Sequence, residues 1–150
     1  MSQWFTCKVK YDKTMMDGAL RNVTEPYLVE ALSFTEAERR IMEEIKPFIS
    51  GDWEVTTINK AHYAEMFETV DDSADRWFKF KLVFVTLDEK SGKEKRQSHN
   101  YLVQASDIRD SIKRLEKGME GSMMDYTISS ITETAIMDVF HYTADIPEKA

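Results

Sequence analysis

Two short stretches set tryptophan and lysine on alternate positions. Trp4, Thr6, Lys8 and Lys10 form one series, and Trp77, Lys79 and Lys81 form the other, with Arg76 beside it. In an extended chain, residues two apart share a face, so each series lines one side of a strand. An indole offers a flat stacking surface and an ammonium a mobile positive charge. Together they can hold a nucleotide or another aromatic anion. Trp4, Lys8, Arg76, Trp77 and Lys81 are therefore the candidate ligand-binding residues. Two other readings fit the same residues. Lysine stems cover aromatic rings on ordinary solvent-facing sheets, and tryptophan is enriched at interfaces between subunits.

The remaining reactive side chains do not assemble into a known motif. Cys7 is the single cysteine, and it falls on the apolar side of its alternating stretch, where a thiol is buried and inert. His62, His99 and His141 have no metal-ligand spacing, so no metal is expected. The five glycines are dispersed and form no phosphate-binding loop, and there is no nucleophile elbow or HExxH. No residue is singled out as catalytic, and no cofactor is expected. An enzyme would have to use carboxylates such as Glu65, Asp71 or Asp75 with Lys60. The acidic run Asp71-Asp72-Ser73-Ala74-Asp75 lacks the glycine and distal glutamate of a calcium loop and reads as a solvated linker. Met15, Met16, Met123 and Met124 stand in pairs near turns, where they read either as a soft recognition surface or, the favoured reading, as fillers of core gaps.

The elements that must position these residues repeat. Trp4 to Val9 matches Trp77 to Leu82 at an offset of 73 positions. Tyr27-Leu28-Val29-Glu30-Ala31 matches Tyr101-Leu102-Val103-Gln104-Ala105 at 74, and Asp52-Trp53 matches Asp125-Tyr126 at 73. Phe5, Cys7, Val9 and Tyr11, like Phe78, Phe80, Leu82 and Phe84, show the period of a half-buried strand. Asp17-Gly18 and Ser91-Gly92 mark hairpin tips. Pro26, lacking an amide proton, belongs at a strand's start or edge. A helix follows each hairpin. Ser33 to Glu36 has capping-box spacing before Ala37, Ile41, Ile45 and Phe48. Ser106 or Asp107 precedes Ile108, Ile112, Leu115 and Met119. Charged residues, Arg40 among them, alternate in sign on the other side of the first helix.

The expected fold is α+β: two tandem ββαβ repeats, mainly antiparallel with one helix each, packed as a pseudo-twofold single domain. Repeat one runs over about 3–68, a linker over about 69–75 and repeat two over about 76–140. A frayed tail fills 141–150.

A formal net charge of −7 and a pI near 5.0 argue against broad binding to nucleic acid or anionic membrane. No apolar run approaches the roughly 20 residues that span a bilayer, and one cysteine suits a reducing compartment. A soluble, cytoplasmic protein is expected.

The stretches VTEPYLVEALSFTEAE, SADRWFKFKLVFVTLDEKSGKEKR, YLVQASDIRD and ISSITETAIMDVF resemble a domain family of unknown function, about 150 residues long, from Bacteroidota and their phages. The resemblance spans about residues 3–142. It implies a cytosolic bacterial or phage setting and brings no catalytic residues with it. The functional expectation is a non-catalytic binding or interaction module that acts through a duplicated sheet surface as a homo-oligomer. A nucleotide-sequestering or nucleotide-sensing protein is the second expectation, and a carboxylate enzyme the third.

Overall fold

A computed structural model describes residues 2–142. The protein is α+β, and the described residues hold two α-helices and two four-stranded mixed sheets. The chain divides into two compact units. One holds the described residues up to Ala61 together with those from Ile136 onward, and the other holds His62–Ala135.

In the first unit, β1 (Gln3–Thr14) and β2 (Leu20–Ala31) form a long antiparallel hairpin, followed by α1 (Phe34–Ile45) and β3 (Trp53–Ala61). Gly18 supplies the positive φ at the hairpin tip, +82°. The alternating pattern of β1 is realised: Phe5, Cys7 and Val9 are buried while Lys8 and Lys10 are exposed. These three pack with Val29, Ala31 and the inner stripe of α1, Ala37, Ile41 and Ile45. Each large apolar side chain so removed from water contributes about 1.5–3 kcal/mol. At the start of α1 the Ser33 hydroxyl accepts from Glu36 N–H (3.1 Å), satisfying a first-turn helix donor, and the Glu36 carboxylate accepts from Leu32 N–H just before the cap (2.8 Å).

The second unit runs through the same order of elements. β5 (Arg76–Leu87) and β6 (Glu94–Ala105) form the hairpin, α2 (Ile108–Gly118) follows, and β7 (Tyr126–Glu133) returns beside β5. Asp107 is the residue that caps α2, accepting from Asp110 N–H at 2.7 Å. Phe78, Phe80, Leu82, Phe84, Tyr101 and Val103 pack with Leu115 and Met119 beneath the helix.

Each sheet gains a fourth, parallel strand. β8 (Val139–Phe140) lies along Leu28–Val29 of β2, and β4 (Glu65–Phe67) lies along Tyr101–Val103 of β6. Backbone bonds hold the chain where each short strand begins: Leu28 N–H to the Asp138 carbonyl (3.0 Å), Met137 N–H to the Pro26 carbonyl (2.9 Å), and Ala64 N–H to the Asn100 carbonyl (2.8 Å). Neither parallel strand is foreseen from the sequence, because two or three residues are too few to show a period. Pro26 sits in mid-strand, at a position whose backbone faces away from β1, so its missing N–H removes no bond from the hairpin ladder.

Several local expectations are corrected. Phe48 does not extend the α1 stripe and is 84% exposed, because Lys46–Phe48 forms a 3-10 turn around Pro47 that shifts the phase. Ile108 is exposed at the first turn of α2. Met16 and Met123 are fully exposed at turns and fill no core gap. Arg40, read on the solvated face, is buried, and its guanidinium donates to the His141 carbonyl (3.1 Å). Of the expected tail, residues 143–150 lie outside the described residues, while Tyr142 N–H donates to Glu30 (2.9 Å). The segment expected as a solvated linker is tied down by side chains of the second unit, Arg114 bonding Asp71 (3.0 Å) and Gln104 bonding the backbone. Gln104 accepts from Thr69 N–H and donates to the Ala74 carbonyl, both at 3.0 Å.

Candidate functional site

Hairpin register assembles a cleft in the second unit. β5 sets Phe84 opposite Gln97 and Phe80 opposite Tyr101, and the two-residue period of β6 puts Gln97, His99 and Tyr101 on the helix-covered face. The end of α2 and the turn after it, Gly118 to Ser122, close one side with Met124. Ala64 and Glu65, where β4 begins, close the other. The cleft encloses about 540 Å³, within the range of small-ligand sites. Its wall is aromatic. The Phe84 ring lies 5.7 Å from His99 and 6.2 Å from both Tyr101 and Tyr126, in tilted arrangements.

The cleft is acidic at its rim, where Glu65 and Glu120 are both exposed. Burial raises the Tyr101 phenol above its ordinary value, and the Glu65 carboxylate adds to the effect. The phenol therefore stays protonated, a donor. Ser122 Oγ accepts from Met124 N–H (3.4 Å) and has no hydrogen bond to His99 among the described residues. A serine nucleophile with its base is thus not assembled here. Among the described residues no group of three or more His, Cys, Asp or Glu side chains could hold a metal ion. No helix among them is long and apolar enough to cross a membrane.

The residues singled out from sequence lie elsewhere. Trp77, Lys79 and Lys81 share the face of β5 away from α2. Lys81 is exposed, but Trp77 is only 4% exposed and presents little ring surface to a ligand. The Trp77 carbonyl accepts from both N–H and Oγ1 of Thr134 at 2.9 Å. Arg76 is exposed and 3.5 Å from Glu133. On β1, Trp4 is half-buried with its ring edge-on to His141 (5.2 Å), and Lys8 is exposed. Lys8 and Lys81 each adjoin a break in strand register, towards β3 and β7 respectively. Of the carboxylates considered for an enzyme, Glu65 lies in the cleft. Asp71 is engaged by Arg114 (3.0 Å) and Ser73 (2.8 Å), and Asp75 is exposed just before β5. Lys60, on β3 of the first unit, places its ammonium 5.9 Å from the Phe34 ring.

Phe84, Gln97, His99, Tyr101 and Glu120 were missed because they are scattered in sequence. One signal was available. With the tip at Gly92, hairpin pairing places Phe84 near Gln97 and His99. In the first unit the positions at offsets of 73 and 74 hold Tyr11, Val23, Glu25 and Tyr27. There the Tyr11 hydroxyl makes a short hydrogen bond to Glu25, whose other oxygen accepts from Lys13 (3.3 Å). Burial and this bond to Glu25 raise the Tyr11 phenol. The Glu25 carboxylate that could serve a ligand is already satisfied internally.

The family model for a domain of unknown function, DUF4494, matches residues 3–142. No curated protein matches the chain, and no solved structure does. The chain belongs to the DUF4494 family.

Proposed function

We propose that this protein is a non-catalytic binding module, and that its site is the cleft of the second unit. One observation carries the proposal: an aromatic wall of Phe84, His99 and Tyr101 faces a rim bearing Glu65 and Glu120. That combination suits a ligand with an apolar or aromatic body and a cationic head. The tryptophan–lysine faces support nucleotide stacking less well, since Trp77 keeps its ring buried.

In the same proposal the chain is a tandem duplication of one ββαβ unit with pseudo-twofold packing. The second copy keeps an open cleft, and the first fills the corresponding place with the Tyr11–Glu25–Lys13 cluster. A homo-oligomer in a reducing bacterial cytosol, host- or phage-encoded, is the setting that the single buried cysteine and acidic surface suit.

The test is a pair of probes of equal size and opposite charge, phenethylammonium and phenylacetate, followed by NMR shifts. Phenethylammonium is expected to perturb Phe84, His99 and Tyr101 with a dissociation constant on the order of 1 mM, about 4 kcal/mol. The paired change Glu65→Gln and Glu120→Gln should weaken it about tenfold. Equal binding of phenylacetate, or shifts that spare the cleft, would overturn the assignment.

A further inference from the structure

Beside the cleft runs an open sheet edge. β4 covers β6 only from Tyr101 to Val103. The Asn100 carbonyl, bonded to Ala64 N–H, shows which backbone groups face that edge. Ladder bonds alternate along an antiparallel pair, so Glu94, Arg96 and Ser98 direct their N–H and C=O groups the same way as Asn100. None of these has a backbone partner on that side among the described residues, and His62 and Tyr63 make no backbone bond to β6. All six residues from Glu94 to His99 are exposed.

The edge already accepts one added strand, β4, from its own chain. Just where β4 begins, beside Tyr101, the cleft opens under Gln97 and His99. The first sheet differs at the matching place. Pro26 occupies the edge-facing position that Asn100 occupies in β6, and an edge proline blunts strand addition.

We infer that the β6 edge from Glu94 to Ser98 binds an extended polypeptide segment as an added strand, with a basic side chain of that segment entering the cleft. This rests on the cleft being the ligand site and names its partner class. An unpaired N–H and C=O ladder is chemistry that another backbone satisfies. The apolar wall takes an alkyl stem, and Glu65 and Glu120 take its charged head. Towards the hairpin tip, Lys93, Lys95 and Arg96 suit acidic flanks. A second copy of β6 is the competing occupant: antiparallel self-pairing centred on Lys95 sets the two lysines against each other but also sets Glu94 opposite Arg96.

The test uses a nonapeptide of alternating threonine and valine with a central lysine and a glutamate at each end, acetylated and amidated. Its partner probe is the same peptide N-methylated at alternate amides. On unaltered protein, N-methylation is expected to weaken binding at least tenfold. Ser98→Pro, which removes an edge-facing N–H and no β5 bond, should do the same. That variant should bind phenethylammonium as the unaltered protein does, which also reports an intact fold. Equal binding of the N-methylated peptide would overturn strand addition. So would peptide failure with phenethylammonium still bound, an outcome that leaves the cleft assignment standing. Failure of both probes removes the cleft assignment itself. A dimer that Ser98→Pro converts to monomer would name a second copy as the occupant and overturn the inference.

Discussion

Gly118→Ala places a methyl group where the structure has no room. Gly118 ends α2, and a Cβ built there falls 2.7 Å from Cε1 and 2.8 Å from Cδ1 and Cζ of the Phe67 ring. Carbon atoms in good contact sit about 3.5–4.0 Å apart, so the ring must retreat by roughly 1 Å. Phe67 belongs to β4, held by three residues of parallel pairing, and its ring packs against the second core and Tyr101. Overpacking of this kind costs about 1–3 kcal/mol. Alanine is a better helix former than glycine by at most about 1 kcal/mol in a helix interior, and less at a final residue. The overpacking wins, and Gly118→Ala should destabilise by about 1–2 kcal/mol. For a chain of this length that lowers Tm by about 2–8 °C. Urea unfolding measures it, with an unchanged m-value showing that stability alone moved. Phe67→Leu in the Gly118→Ala background should recover part of the loss, giving a favourable coupling energy of at least about 0.5 kcal/mol. A Gly118→Ala protein more stable than the parent, or a coupling of zero, would refute the reasoning. Because β4 borders the cleft, the same variant should also weaken phenethylammonium binding.

Cys7 should behave as a core residue in solution. It is fully buried, and burial, with a smaller contribution from Glu38, pushes its thiol up to about 12. At pH 8 a disulfide reagent should modify no thiol in the folded protein and one per chain in denaturant; rapid modification of the native protein would contradict the packing. Arg114 should make stability depend on acid. Asp71 is held below the ordinary carboxyl value of 3.8 chiefly by Ser73, and Asp110 chiefly by Ser106 N–H, with Arg114 adding to both. Carboxyls lowered by folding stabilise above their unfolded value, and that stability is lost as pH falls through the folded value. Arg114→Gln should therefore be less stable at pH 7, with the gap closing as the pH falls below about 4. A gap that is the same at pH 7 and pH 2.5 would show that Arg114 acts by packing alone.

Local chemistry was legible in the sequence wherever neighbouring residues decide the outcome. The alternation of Phe5, Cys7 and Val9 with Lys8 and Lys10 specifies a strand with one buried face, since adjacent side chains on a strand must point opposite ways. Ser33, and Ser106 or Asp107, could be placed at helix starts because a cap bonds only two or three residues ahead, and the structure chose Asp107. Phe48 failed for a physical reason as well: a helical period assumes that the helix continues, and Pro47 tightens it into a 3-10 turn.

The candidate site was hidden because its members meet only through long-range pairing. Trp77 looked like a ligand platform because alternation reports which face a residue occupies, and burial of that face is a separate matter. The cleft needs the β5–β6 register to bring Phe84 to His99, the end of α2 to supply Gly118 and Met119, and β4 to bring Glu65. The first meeting follows from the hairpin tip at Gly92, and no local pattern encodes the other two. By itself the sequence determined the α+β class, the strand faces, the helix caps and the glycine turns, all set by interactions within a few residues. Tertiary structure alone decided where β4 and β8 dock, which sheet edge stays open beside Pro26 or Asn100, and which of two similar hairpins keeps a cleft. Those outcomes depend on backbone groups and side chains far apart in the chain competing for the same partners.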